Sequence, residues 1–204
     1  MSIRVKIAFE LPFYIERILL WPLRLYHSIR LGCDVRIIAL TKFRFTIVDP
    51  QNYDWLNKFK WCLAKGDDSF YAVRNVRVGR GRTKAVFMHR LIMDPPSHLL
   101  VDHANTDGLD NRRSNLRIAT PSENMFNRRK TKKKTYSRYI GVSFDKQVGK
   151  WTATICTNRK SIRLGRFSSE IDAARAYDMA AKQYHKEFAR LNFPERSEGL
   201  GVVS

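Results

Sequence analysis

Between residues 35 and 88, short blocks of β-branched and aromatic residues alternate with clusters of turn residues. Runs at 37–40, 43–48, 61–64, 71–78 and 85–88 each predict a strand. Asp49 followed by Pro50 breaks the rhythm and predicts a short helix to about Asn57. Two further apolar runs, 99–101 and 116–119, flank a loop rich in Gly, Asp and Asn. A helix then opens with Thr120 at the cap, Pro121 at the first position and Glu123 at the third, a capping box. Past residue 139 the alternation is clean: Trp151, Ala153 and Ile155 share one strand face, and Thr152, Thr154 and Cys156 the other. Ile162 and Leu164 alternate with Ser161 and Arg163 in the same way. Ser168 is the expected cap of a helix carrying Ala173, Tyr177, Ala180 and Tyr184 on one face. The pattern predicts an α+β chain with a β-rich N-terminal segment and, at the C-terminus, a three-stranded antiparallel sheet packed on one helix. One face of that sheet is left free, polar and basic.

The first 34 residues do not share this pattern. They are rich in large apolar groups but interrupted by Glu10, Glu16, Arg17 and Arg24, and Pro12 and Pro22 are expected to break helical continuity. Neither a membrane span nor a signal peptide is evident, so the segment reads as an N-terminal extension. Charge changes the picture more than composition does. A formal net charge of +19 over 204 residues calls for a polyanionic partner, with nucleic acid ahead of a membrane surface. Three scattered cysteines, Cys33, Cys62 and Cys156, suit a reducing compartment and neither a disulfide frame nor a zinc site.

The chemistry concentrates between residues 99 and 127. Asp102 and His103 end the first run, and Asn124 falls on the first helical turn. A carboxylate and an amide oxygen are hard ligands suited to Mg²⁺ or Mn²⁺. A neutral histidine beside such an ion can take a proton from water near pH 7. By spacing alone, a capping Asp and a surface His would explain the same residues.

The segment resembles the HNH nucleases, the ββα-metal fold, in the variety found in phage and intron homing endonucleases. The matching elements are Met88-His89-Arg90-Leu91-Ile92, Val101-Asp102-His103, Asp107-Gly108, Asp110-Asn111, Asn115-Leu116-Arg117 and Glu123-Asn124. The resemblance implies His103 as general base and Asp102 and Asn124 as ligands of Mg²⁺ or Mn²⁺. Asn115 would brace the loop and orient the histidine backbone. Asn127, one turn beyond Asn124, is expected as an outer-sphere or phosphate contact, with Arg117. His89, expected to close the strand at 85–88, is read as a hydrogen-bonded structural histidine near the site. His27, His98 and His185 are read as structural.

Residues 128–138, RRKTKKKTYSR, form a dense basic run read as a DNA-contacting linker, through Arg128, Arg129, Lys132, Lys133 and Lys134. Residues 139–194 resemble the Apetala-two/ethylene-response-factor DNA-binding domain. The resemblance rests on Tyr139-Ile140-Gly141-Val142, Gly149-Lys150-Trp151, Leu164-Gly165-Arg166-Phe167, Ala173-Ala174-Arg175-Ala176-Tyr177-Asp178 and Leu191-Asn192-Phe193-Pro194. It implies that the free sheet face enters the major groove, with Ser143, Lys146, Lys150, Thr152, Thr154, Ser161, Arg163 and Arg166 toward DNA. Asp145 near that face would repel phosphate unless it is turned away or paired.

The expected organisation is therefore an extension (1–34), a β-rich segment (35–84), a nuclease core (85–129), a linker (130–138), a DNA-binding domain (139–194) and a tail. The expected activity is metal-dependent hydrolysis of double-stranded DNA, by a monomer or homodimer, in the cytoplasm of a bacterial or phage-infected cell and away from membranes. The alternative is a DNA-binding regulator with a vestigial nuclease centre.

Overall fold

The computed structural model describes residues 13–79, 81–128, 136–157 and 160–194. The chain divides into two compact units. The first comprises residues up to 65, 70–92 and 108–114. It opens with helix α1 (Phe13–Leu31), which runs through Pro22 rather than breaking there. One proline removes a single backbone donor, and the helix end is fixed independently. Gly32 takes the left-handed conformation (φ +64°), and the Cys33 amide reaches back to the Ser28 carbonyl. Arg24 then ties α1 to the following strand, donating to the Val35 carbonyl at 3.0 Å and to Asp34 at 2.8 Å.

Strands β1 (Arg36–Leu40) and β2 (Arg44–Val48) pair antiparallel. The second strand starts one residue later than its apolar run suggests, because Lys42 and Phe43 turn the chain with positive φ and leave Phe43 in solvent. Helix α2 (Pro50–Leu56) has proline at its start as expected. The Asp49 carboxylate, however, accepts from the Arg113 amide at 2.7 Å instead of capping its own helix. Strands β3 (Cys62–Lys65), β4 (Phe70–Arg77) and β5 (Thr83–Phe87) form an antiparallel sheet in that order. Helix α3 (Met88–Met93) follows directly, so the strand expected at 85–88 ends at Phe87 and His89 is helical. Val35, Ile38, Val48, Leu56, Trp61 and Met88 supply the core. Phe59 is not part of it: the ring is exposed, and the Arg74 guanidinium stacks 3.7 Å from its centre.

Residues 108–114 close this unit by lying along β2. The Leu109 carbonyl accepts from the Ile47 amide and from the Thr46 hydroxyl, and Asn111 Nδ2 donates to Thr46 Oγ1 at 2.7 Å. Thr46 and Asn111 are both fully buried, and each is satisfied by the other.

The second unit comprises 66–69, 93–107 and residues from 115 onward. It holds a hairpin of β6 (Leu100–His103) and β7 (Leu116–Ala119), followed by helix α4 (Pro121–Phe126). It also holds a sheet of β8 (Val142–Asp145), β9 (Lys150–Thr157) and β10 (Lys160–Phe167), with β9 central. Helix α5 (Glu170–His185) covers one face of that sheet. Its cap is Ser169, one residue after the predicted Ser168, with Oγ accepting from the Ile171 and Asp172 amides. Ala173, Ala174 and Ala181 are wholly buried against the sheet, whereas Tyr184, expected on that face, is exposed. The closeness is enforced at Gly141 (φ +71°), where an added Cβ would lie 2.0 Å from the Tyr177 ring. The segment after α5 is pinned by Asp178, whose carboxylate accepts from the Asn192 and Phe193 amides at 2.8 Å each.

Candidate functional site

The hairpin and α4 position the candidate side chains. Thr120 Oγ1 accepts from the Glu123 amide, and the Glu123 carboxylate accepts from the Thr120 amide at 2.7 Å. That pairing fixes the start of α4 relative to the end of β7. It holds the Glu123 carboxyl below its ordinary pKa, because the Thr120 backbone and hydroxyl both donate to the ionised form.

Asp102 sits opposite Arg117 in the hairpin register and is buried. Arg117 Nε and Nη2 both reach its Oδ2, at 2.8 and 2.6 Å. Asn127, the C-terminal cap of α4, is also buried and turns its amide nitrogen onto both carboxylate oxygens at 3.1 Å. The same nitrogen lies 2.8 Å from the His103 carbonyl, which also accepts from the Thr106 amide. Asn115 braces the loop after β6: its carbonyl accepts from the Ala104 amide at 2.9 Å and its Oδ1 from the Asn105 amide at 3.0 Å. His103 is itself largely buried.

Asn127, expected as an outer-sphere or phosphate contact, touches Asp102 directly. Asn124 is half-buried one turn earlier, and among the described residues its side-chain amide makes no hydrogen bond. His89 lies in the first unit, buried between the rings of Tyr71 and Phe87 at 5.7 and 5.3 Å. The Asp102–Arg117 pair was open to sequence reasoning, because Asp102 and Arg117 face each other once the hairpin register is counted back from the loop.

Among the described residues no three His, Cys, Asp or Glu side chains converge as a metal cluster. The donor set here is one carboxylate and one or two amides, which suits a hard ion that keeps most of its water. Among the described residues, Asp102 Oδ2 accepts from Arg117 and Asn127, while Oδ1 accepts from Asn127 and retains lone-pair capacity toward an ion. The residues present therefore fit Mg²⁺ or Mn²⁺.

On the C-terminal sheet, Ser143, Thr152 and Arg166 form one cross-strand row, and Thr154 pairs with Arg163. Arg163 and Arg166 are of opposite parity and would face opposite sides of an unbroken strand. A bulge between Arg163 and Gly165 shifts the register and brings both onto the face of Thr152 and Thr154. Lys150, Ser161, Arg163 and Arg166 are exposed, as expected. Thr152 is not: it lies on the central strand between Ser143 and Arg166 and is only 8% exposed. Asp145 is paired with Arg166 at 3.2 Å, which offsets its charge, and Lys146 stacks on the Tyr136 ring at 4.8 Å. Arg128 is exposed near Asp67 and Asp68, at 3.9 and 3.6 Å. Arg129, Lys132, Lys133 and Lys134 lie outside the described residues.

His185 is structural. Its Nε2 lies 2.9 Å from the Cys156 carbonyl, and burial pushes its imidazole below the usual histidine range.

Residues 137–187 match the AP2 domain model. Over 159 residues the chain is 29% identical to an uncharacterized HNH endonuclease of Acanthamoeba polyphaga mimivirus, covering 76% of this chain and 79% of that one. The chain is similar to an HNH endonuclease joined to an AP2 domain. Two AP2-like ethylene-responsive transcription factors of Arabidopsis thaliana, TOE2 and At1g16060, are each 36% identical. They match over 36% and 41% of this chain but only 15% and 24% of their own length. The bulged sheet, Gly141 and the Asp178 clasp all fall in or directly after the AP2 match. Among the described residues no helix is long and apolar enough to cross a membrane.

Proposed function

We propose that the protein is a metal-dependent DNA endonuclease of the HNH homing type, with its AP2 domain binding the duplex. The observation that carries this reading is the buried Asp102 carboxylate, held by Asn127 and Arg117, next in sequence to a histidine whose carbonyl the same Asn127 holds. His103 would take a proton from the water that attacks the phosphorus. The P–O3′ bond breaks in line, leaving a 5′-phosphate and a 3′-hydroxyl. Asp102 and Asn124 would hold Mg²⁺ or Mn²⁺, with Asn115 and Asn127 keeping the loop and the histidine backbone in place. When bound, the ion supplies Lewis-acid shielding of the phosphate and the departing oxygen. Arg163, Lys150 and the other exposed cations of the sheet face would supply phosphate contacts and position the nuclease. One centre cuts one strand per visit.

The assay is relaxation of supercoiled plasmid with Mg²⁺, with and without EDTA, beside His103→Ala. The expected result is nicking that EDTA and His103→Ala both abolish while gel-shift binding persists. Full cleavage by His103→Ala overturns the assignment of the base. One observation favours a second reading, a DNA-binding regulator with a silent centre: Arg117 already neutralises Asp102. That reading predicts binding with no metal-dependent nicking at all.

A further inference from the structure

Arg117 stands where the hairpin meets the end of the AP2 domain, within one compact unit. Two of its nitrogens are on Asp102, a third donates to the Glu187 carbonyl, and the Phe188 ring lies 4.3 Å beneath its guanidinium carbon. Two more contacts join the same surfaces. The Phe126 ring of α4 stacks on His185 with centroids 3.8 Å apart and planes 6° from parallel. Arg190 Nη1 donates to Thr106 Oγ1, in the loop after His103, at 3.3 Å.

We propose that residues 185–190, at and just beyond the end of the AP2 match, complete the nuclease centre by fixing Arg117, a positioning residue that sets the orientation of the Asp102 carboxylate. The proposal rests on the nuclease reading above. A guanidinium is a rigid planar fork, so holding its far edge on a carbonyl and its face on a ring fixes the edge that meets the carboxylate. With Oδ2 engaged by that edge, Oδ1 is the oxygen left to face an ion. Loosening the fork lets the carboxylate rotate and re-pair, and a carboxylate that wanders is a poorer ligand. The DNA-reading sheet is packed on α5, and the end of α5 leads straight into Glu187 and Phe188. Grip on the duplex and readiness of the metal-binding carboxylate are thereby joined through a few side chains.

The test uses the full chain with three substitutions: Phe188→Ala removes the ring, Phe188→Tyr keeps it, and Arg117→Lys keeps the charge but not the fork. Mn²⁺ binding is read by electron paramagnetic resonance without DNA, duplex affinity by gel shift in EDTA, and cutting by plasmid nicking. Phe188→Ala and Arg117→Lys are expected to weaken Mn²⁺ binding and slow nicking by about tenfold or more. Gel-shift affinity should stay within about twofold of wild type, and Phe188→Tyr should behave as wild type. Wild-type Mn²⁺ affinity in both Phe188→Ala and Arg117→Lys overturns the proposal. So does a loss of duplex affinity in step with nicking, which would mark a fold defect. Arg117→Lys, which leaves the buried ring in place, decides the matter if Phe188→Ala does not fold. Because Mn²⁺ is measured alone, failure of wild type to cut overturns the nuclease reading without touching this result.

Discussion

Asn127→Ala is the sharpest perturbation of the site. The Asn127 amide nitrogen is within hydrogen-bond distance of both Asp102 oxygens and of the His103 carbonyl, at 3.1, 3.1 and 2.8 Å. With two protons on that nitrogen, one is shared between the carboxylate oxygens and one goes to the carbonyl. Truncation leaves Oδ1 of a 7% exposed carboxylate without a donor among the described residues. The His103 carbonyl keeps the Thr106 amide. A hydrogen bond to a charged group is worth about 1.5–3 kcal/mol and a neutral one about 1. Water entering the space left by the amide recovers part of this, so a net loss of about 2–3 kcal/mol is expected. At a urea dependence of about 2 kcal/mol per M, that moves the unfolding midpoint of this unit down by about 1 M or slightly more. Nicking should fall about 10- to 100-fold, the usual effect of removing a group that orients a ligand. Asn127→Asp is expected to be worse than Asn127→Ala, since it places a second carboxylate against Asp102 with no donor between them. Urea melts followed by near-ultraviolet circular dichroism, and plasmid nicking at matched folded fractions, make the measurement. Asn127→Ala with an unmoved midpoint and wild-type nicking would refute the reasoning, because no route then remains by which this amide matters.

Other outcomes follow from the same geometry. Gly141→Ala should prevent the AP2 domain from closing, because the methyl would meet the Tyr177 ring at 2.0 Å and φ is +71°; loss of gel-shift binding together with a lowered melting temperature would show it. Arg163→Ala should lower the slope of log affinity against log salt by about one, while Arg166→Ala, already paired with Asp145, should lower it by less. The Glu123 carboxyl is held below its ordinary value in the folded chain, so its contribution to stability is present above the unfolded pKa of 4.5 and is lost as pH falls through the folded value. Glu123→Gln should remove that dependence below pH 4.5, measured by melting temperature against pH.

Local rules carried much of the architecture. The capping box at Thr120, the proline-led helix at residue 50, the alternation in β9 and the alanine face of α5 are all written in neighbours a few residues apart. Spacing and caps act over one or two turns, and so they are legible without a fold. Where a contact from elsewhere in the chain competes with local propensity, the contact wins. Pro22 sits inside a helix, Asp49 serves a distant amide, and the strand before His89 gives way to a helix one residue early.

The sequence by itself determined the local frame of the site: the β6–β7 hairpin with Asp102 and His103 at the end of its first strand, and the capped helix that follows. Only the tertiary structure decided which side chains touch. Packing of the end of α4 brings Asn127 onto Asp102, and hairpin register puts Arg117 opposite it. A one-residue bulge gathers Arg163 and Arg166 on one face, and the end of α5 supplies the carbonyl and ring that hold Arg117. Each of these depends on register or packing between segments far apart in the chain, and such relations are fixed by closing the fold rather than by the preferences of any local stretch.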